Sequence, residues 1–118
     1  MGNVYVVQEP ARRKDRSTGS LLPPIDVSAA AKFGKFKVLL PPGDIILSTQ
    51  PAIWELKKKL KTFCDDDYLL LIGDPVAIGL ASSIAAEMNS GRVKFLRWAK
   101  SEFDYIVVEA DLHQRGER

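Results

Sequence analysis

With 118 residues, the chain has room for one domain. Hydrophobic residues make up 46% and charged residues 27%, which excludes a disordered acidic chain, a collagen-like repeat and a disulfide scaffold. The net charge of +2 is too small to declare a partner, and the lone Cys64 leaves the fold to apolar burial, as suits a reducing compartment.

The opening Met1-Gly2-Asn3-Val4-Tyr5-Val6 has no basic leader ahead of an apolar stretch, and position six lacks the Ser or Thr of a myristoylation site. The longest near-apolar stretch, 75–86, is broken by Gly79, Ser82 and Ser83 and falls short of the about 20 residues a membrane span needs. The expectation is a soluble, unexported protein.

Residues 3–8 form a β-branched and aromatic run ended by Pro10, and predict a strand. From Glu9 to Gly34 neither period is present. This segment contains the basic cluster Arg12, Arg13, Lys14 and Arg16, then Pro23-Pro24, and is expected to be an extended arm. Residues 35–40 alternate and then turn apolar. Pro41-Pro42-Gly43-Asp44 suits a type II turn, and Ile45-Ile46-Leu47-Ser48 returns, so a hairpin is expected. Thr49 stands where a helix cap belongs, with Pro51 in the first turn and Glu55 favourable to the helix dipole. Ile53, Leu56, Leu60 and Phe63 then recur at helical spacing, and Lys57, Lys58, Lys59 and Lys61 take the other faces. Trp54 is assigned to the core.

After Asp65-Asp66-Asp67, the continuously apolar 68–72 predicts a strand covered on both faces. At Gly73-Asp74-Pro75, Asp74 is the expected N-cap and Pro75 the first helical residue. The alanine-rich helix 76–88 follows, closed by Asn89-Ser90-Gly91 with Gly91 as the left-handed cap. Strands 93–98 and 105–110 make a hairpin across 99–104 and leave a polar tail, 113–118. Trp98 and Tyr105 flank its turn as a cross-strand pair. Crossovers make 45–48, 68–72 and 93–98 parallel, with the other strands extending the sheet antiparallel. The fold class is α/β. It comprises a mixed sheet of about five to six strands with two helices, in a single domain over 1–118 that carries the basic arm, 9–34.

Chemistry is sparse. Asp74 sits at the carboxyl end of a central parallel strand, where open α/β sheets bind ligands. Yet the cap position is already anionic, and neither a glycine-rich phosphate loop nor a Gly-x-Gly-x-x-Gly is present. The acidic triplet lies a strand's length from Asp74, about 20 Å, so the two cannot share an ion; it is expected as a solvated turn near Arg92 and 111–113. One His and one Cys do not make a zinc site, and Ser82 and Ser83 lack a nucleophile-elbow motif. No cofactor is called for. Charge is uneven: eleven basic and five acidic residues run through Lys61, six and ten from Thr62 onward. The candidate interaction residues are therefore Arg12, Arg13, Lys14, Arg16, Lys57, Lys58 and Lys61.

Val38-Leu39-Leu40-Pro41-Pro42, Asp65-Asp66-Asp67-Tyr68-Leu69-Leu70, Gly73-Asp74-Pro75 and Gly91-Arg92 with Lys94 and Trp98 together resemble a group of small tailed-bacteriophage proteins, over roughly 35–112. The resemblance implies a phage gene product working in the host cytoplasm and carries over no activity or catalytic residue. The leading expectation is a non-catalytic accessory protein that binds a host or phage protein or itself. The alternative is a nucleic-acid-binding factor using the arm and the lysine-rich helix. A third possibility is a small metal- or nucleotide-dependent enzyme at Asp74, with Ser48, Thr49 and Glu102 on the same sheet edge.

Overall fold

A computed structural model describes residues 2–10, 17–18 and 27–114. Among them, five strands form one sheet: β1 (Asn3–Gln8), β2 (Lys35–Leu40), β3 (Tyr68–Leu70), β4 (Arg92–Ala99) and β5 (Asp104–Asp111), in the order β2-β1-β3-β4-β5. The first four are mutually parallel, and β5 runs antiparallel to β4. Two α-helices, α1 (Gln50–Lys59) and α2 (Pro75–Met88), cover one face. A 3-10 helix, Ser28–Phe33, lies on the other and raises the helix count to three; a short 3-10 turn, Lys100–Glu102, joins β4 to β5. The α/β expectation holds.

Side-chain alternation divides the core by face. Tyr5, Val7, Leu39, Leu69 and Val93 meet Leu56, Leu60, Phe63 and the alanines Ala77, Ala81 and Ala85 under the two α-helices. Val4, Val6, Leu70 and Leu96 meet Ala30 and Tyr105 on the opposite side, flanked by Val27, Phe33 and Tyr68. The expected helix periodicities are therefore seen, with Leu60 closing α1 and Phe63 packing from the turn beyond it. Strand 68–72 is central as expected. Its regular ladder stops at Leu70, and backbone bonds from Leu71 N–H to Leu96 and from Gln8 N–H to the Ile72 carbonyl extend its contacts.

Four expectations are corrected. The hairpin 35–48 does not form: β2 pairs with β1, and 45–48 is a loop in which only Ile45 reaches the core while Ile46 and Leu47 face outward. The first strand does not extend the sheet antiparallel. It runs parallel between β2 and β3, and the burial of every residue from Val4 to Gln8 is the signature of an inner parallel strand. The segment assigned to the arm is helical over Ser28–Phe33, where Ala30 is fully buried under the sheet; Arg12, Arg13, Lys14 and Arg16 lie outside the described residues. Trp54 is exposed rather than core, because Ile53 and Leu56 turn α1's apolar stripe away from it. At the end of α2 the left-handed turn begins one residue early, at Ser90 (φ 55°), and continues through Gly91 (φ 86°).

Leu70→Asp places an unpaired carboxylate where Leu70 is 1% exposed, beneath the 3-10 helix. Such a charge costs several kcal/mol against a total stability of about 5–15. The expected outcome is loss of the cooperative thermal transition in circular dichroism.

Candidate functional site

The chain leaves β1 across one face to reach β2, then returns across the other face, past β1, to β3. The carboxyl ends of β1 and β3 therefore form the switch point at which open α/β sheets hold ligands. Here the position is filled by the protein's own Gln8. Its side chain is buried, and its carbonyl oxygen accepts the Asp74 N–H at 2.5 Å. Its amide nitrogen donates to the carbonyls of Pro41 (3.1 Å) and Gly43 (2.6 Å). One amide thus joins the end of β1, the loop after β2 and the start of α2. Gly73 makes room for it: φ is 135°, and a Cβ there would collide with the Gln8 side-chain oxygen and with the Gln8 Cβ.

Asp74 is the N-cap of α2, as expected, and Pro75 opens the helix. Its carboxylate accepts N–H groups from Ala77 (3.4 Å) and from Ile45 (3.3 Å), fastening the 45–48 loop. Among the described residues it has no hydrogen bond to Ser48, Thr49 or Glu102, although the loops carrying them lie at the same edge. Thr49 occupies the N-cap of α1 without a side-chain cap bond. The geometry gives Asp74 a fastening role.

Beside this latch a cavity of about 760 Å³ opens, lined by Leu70, Ile72, Gly73, Arg97, Trp98 and Tyr105. Trp98 and Tyr105 are the expected cross-strand pair, with ring centroids 5.2 Å apart at 71°, and Phe103 meets Trp98 edge-on at 6.4 Å. A second hollow of about 420 Å³ lies between 40–45 and the first turn of α1. Both are apolar concavities bearing few polar groups.

At the amino edge, the acidic triplet divides. Asp66 is exposed, whereas Asp65 pairs with Arg92 (3.0 Å) and accepts the Asn89 side-chain amide (2.8 Å), in the neighbourhood of Arg92 that the sequence predicts. The Arg92 hydrogen bond, then that of Asn89, holds the Asp65 carboxyl below its ordinary value, and Asp65 in turn raises Arg92. Asp67 departs from the solvated-turn expectation: it is buried and accepts the N–H groups of Asn3 (2.8 Å) and Cys64 (2.9 Å), clamping the first strand's start to the turn. His113 lies over Gly91, and Cys64 is exposed. Among the described residues, no group of three or more His, Cys, Asp or Glu is placed to hold a metal ion.

On α1, Lys57 and Lys58 are exposed, as is Lys61 just beyond it, while Lys59 donates to the Leu39 carbonyl (2.9 Å) and pairs with Glu55 (3.3 Å). The open lysines form one solvated side, as predicted; the arm arginines that were expected to join them are outside the described residues. Gln8 escaped the sequence reading, since a glutamine ending an apolar run carries no signal of what its amide will meet. Among the described residues, no helix is long and apolar enough to cross a membrane.

These features define a small doubly wound α/β protein with its switch point occupied from within. The chain belongs to the Phage Pam3 gp32-like protein family, which it matches over residues 2–112. No curated protein and no solved structure matches it.

Two measurements probe this architecture. Gln8→Leu leaves the Asp74 N–H and the Pro41 and Gly43 carbonyls without their partner, and urea denaturation is expected to show a loss of about 1–3 kcal/mol. Acid titration tests the ion pairs. The Lys32 hydrogen bond, then the Tyr105 N–H, lowers the Asp104 carboxyl from its ordinary 3.8, and Asp65 is lowered likewise. A lowered folded-state value means stability that is complete above 3.8 and lost as pH falls through the folded value. Asp104→Asn is therefore expected to flatten the fall of melting temperature below about pH 4.

Proposed function

We propose that this phage-family chain is a non-catalytic accessory protein that acts in the host cytoplasm by binding protein, either a host or phage component or another copy of itself. The observation that carries this reading is the placement of large apolar side chains at the carboxyl edge. Leu47 is 97% exposed, Phe103 84%, Ile46 81% and Trp54 66%, all on loops or in the first half of α1, at the edge where the switch-point crevice is already taken. Side chains of this kind supply binding energy when a partner covers them. Asp74, the best-placed group for an enzyme, is engaged in fastening two loops, which weighs against the catalytic alternative.

The nucleic-acid reading draws on the exposed Lys57, Lys58 and Lys61. Glu55 interrupts the basic side, and its partner Lys59 is already engaged. The expected outcome is sequence-independent binding, micromolar or weaker, that disappears at physiological salt. Affinity capture from phage-infected cells, with and without nuclease and across a salt series, checks both readings. A stoichiometric protein partner that survives nuclease and physiological salt supports the proposal. Tight duplex or single-strand binding at physiological salt, abolished by Lys57→Glu with Lys61→Glu, overturns it.

A further inference from the structure

The two outer strands of the sheet are built differently. On β2, Lys35 and Lys37 are exposed and Pro41-Pro42 follows directly, which are devices that discourage pairing along an edge. On β5, the middle of the strand is Ile106-Val107-Val108, with exposures of 40%, 38% and 42%, and neither lysine, proline nor glycine interrupts it. Among the described residues, nothing pairs with its outer side.

The hydrogen-bond phase of that outer side follows from two bonds. Leu112 N–H donates to the Gly91 carbonyl across the β4–β5 ladder, whereas the Leu96 carbonyl accepts from Leu71 on the other side of β4. Residues 106, 108 and 110 therefore turn their backbone groups toward β4, and Val107 and Glu109 turn theirs outward.

We infer that β5 pairs antiparallel with β5 of a second copy of this chain, about a two-fold axis at Val107, making a continuous ten-stranded sheet. This rests on the reading of the chain as a binding protein and names its partner. In that register Val107 exchanges both backbone bonds with Val107 of the second copy, and Ile106 faces Val108 of the second copy, twice by symmetry. Tyr105 stands opposite Glu109 of the second copy, and Asp104 opposite Ala110, so no carboxylate faces another. Each acid of the strand has a cation near it in its own chain: Lys32 pairs with Asp104, Lys94 stands opposite Glu109 in the ladder register, and Arg92, itself paired with Asp65, stands opposite Asp111. Because the lysine-bearing β2 edge stays closed, assembly stops at two.

Sedimentation velocity over a micromolar concentration series tests this. The wild-type chain is expected to sediment as two copies, with a melting temperature that rises with concentration. Val107→Lys sets like charges against each other across the axis at a partly exposed position. Val107→Pro removes an outward N–H without breaking a bond to β4. Both are expected to weaken dimerisation at least tenfold, Val107→Lys with an unchanged circular dichroism spectrum. A wild-type chain that is monomeric throughout the series overturns the inference, as do dimers that persist in both variants. Species that grow beyond two with concentration also overturn it, and point instead to head-to-tail pairing of β5 with β2. A monomer that still retains a specific protein partner in affinity capture removes this inference alone and leaves the binding reading in place.

Discussion

A single buried carboxamide holds the carboxyl edge together. Gln8 ends the inner strand β1, and its position leaves it only 4% exposed. An amide so placed must find partners of its own or lose several kcal/mol of hydration. It finds three of them in two segments: the Asp74 N–H at the start of α2, and the carbonyls of Pro41 and Gly43 in the loop after β2. The path of the loop after β2 and the angle at which α2 leaves the sheet are therefore set by one side chain. The requirement reaches further, since the close approach of Gln8 leaves space only for glycine at position 73. Asp74 continues the chain of dependence by capping α2 and drawing in the Ile45 N–H.

The two faces of the sheet are finished unequally. Under α1 and α2 the core is deep, and its alanines let α2 sit close to the strands. Opposite, the described cover is a single 3-10 helix anchored by Ala30 and tied to β5 through the Lys32–Asp104 pair. Lys94 lies 4.4 Å from the Tyr68 ring and Phe33 packs on that ring at 5.3 Å, so aromatic and cationic contacts complete what aliphatic packing leaves open. The carboxyl-edge aromatics, Trp98 and Phe103, stand beyond this cover.

Much of this was legible in the sequence where local chemistry and tertiary demand agree. The Asp74-Pro75 helix start, the α1 stripe of Leu56 and Leu60 and the β4–β5 hairpin with its Trp98–Tyr105 pair all follow from patterns a few residues long. The hairpin at 35–48 misleads because Ile45-Ile46-Leu47 has strand propensity but no free ladder beside it: β2 is committed to β1. That commitment is a long-range fact, although the unbroken Val4-Tyr5-Val6-Val7 carries the same signature that placed 68–72 at the centre. Ser28–Phe33 was hidden because a 3-10 helix of two turns has no 3.6-residue stripe to reveal it. The family resemblance stood on 35–112, and the match extends it to 2–112, taking in β1.

The location of β1 also bears on the order of events during synthesis. Of the five described strands, the earliest in the sequence is an inner one, and its start is clamped to Asp67, 64 residues later in the chain. Until β3 has appeared, Val4 and Val6 have nothing to lie against on that side, and β1 with β2 forms at most a two-stranded parallel ribbon. Contacts this distant in sequence incur their loop-closure entropy before they return any stabilisation, so folding is expected to be concerted and late rather than progressive. A ribosome that pauses before residue 68 would hold out an apolar strand with one side bare, open to a chaperone or to a newly made copy.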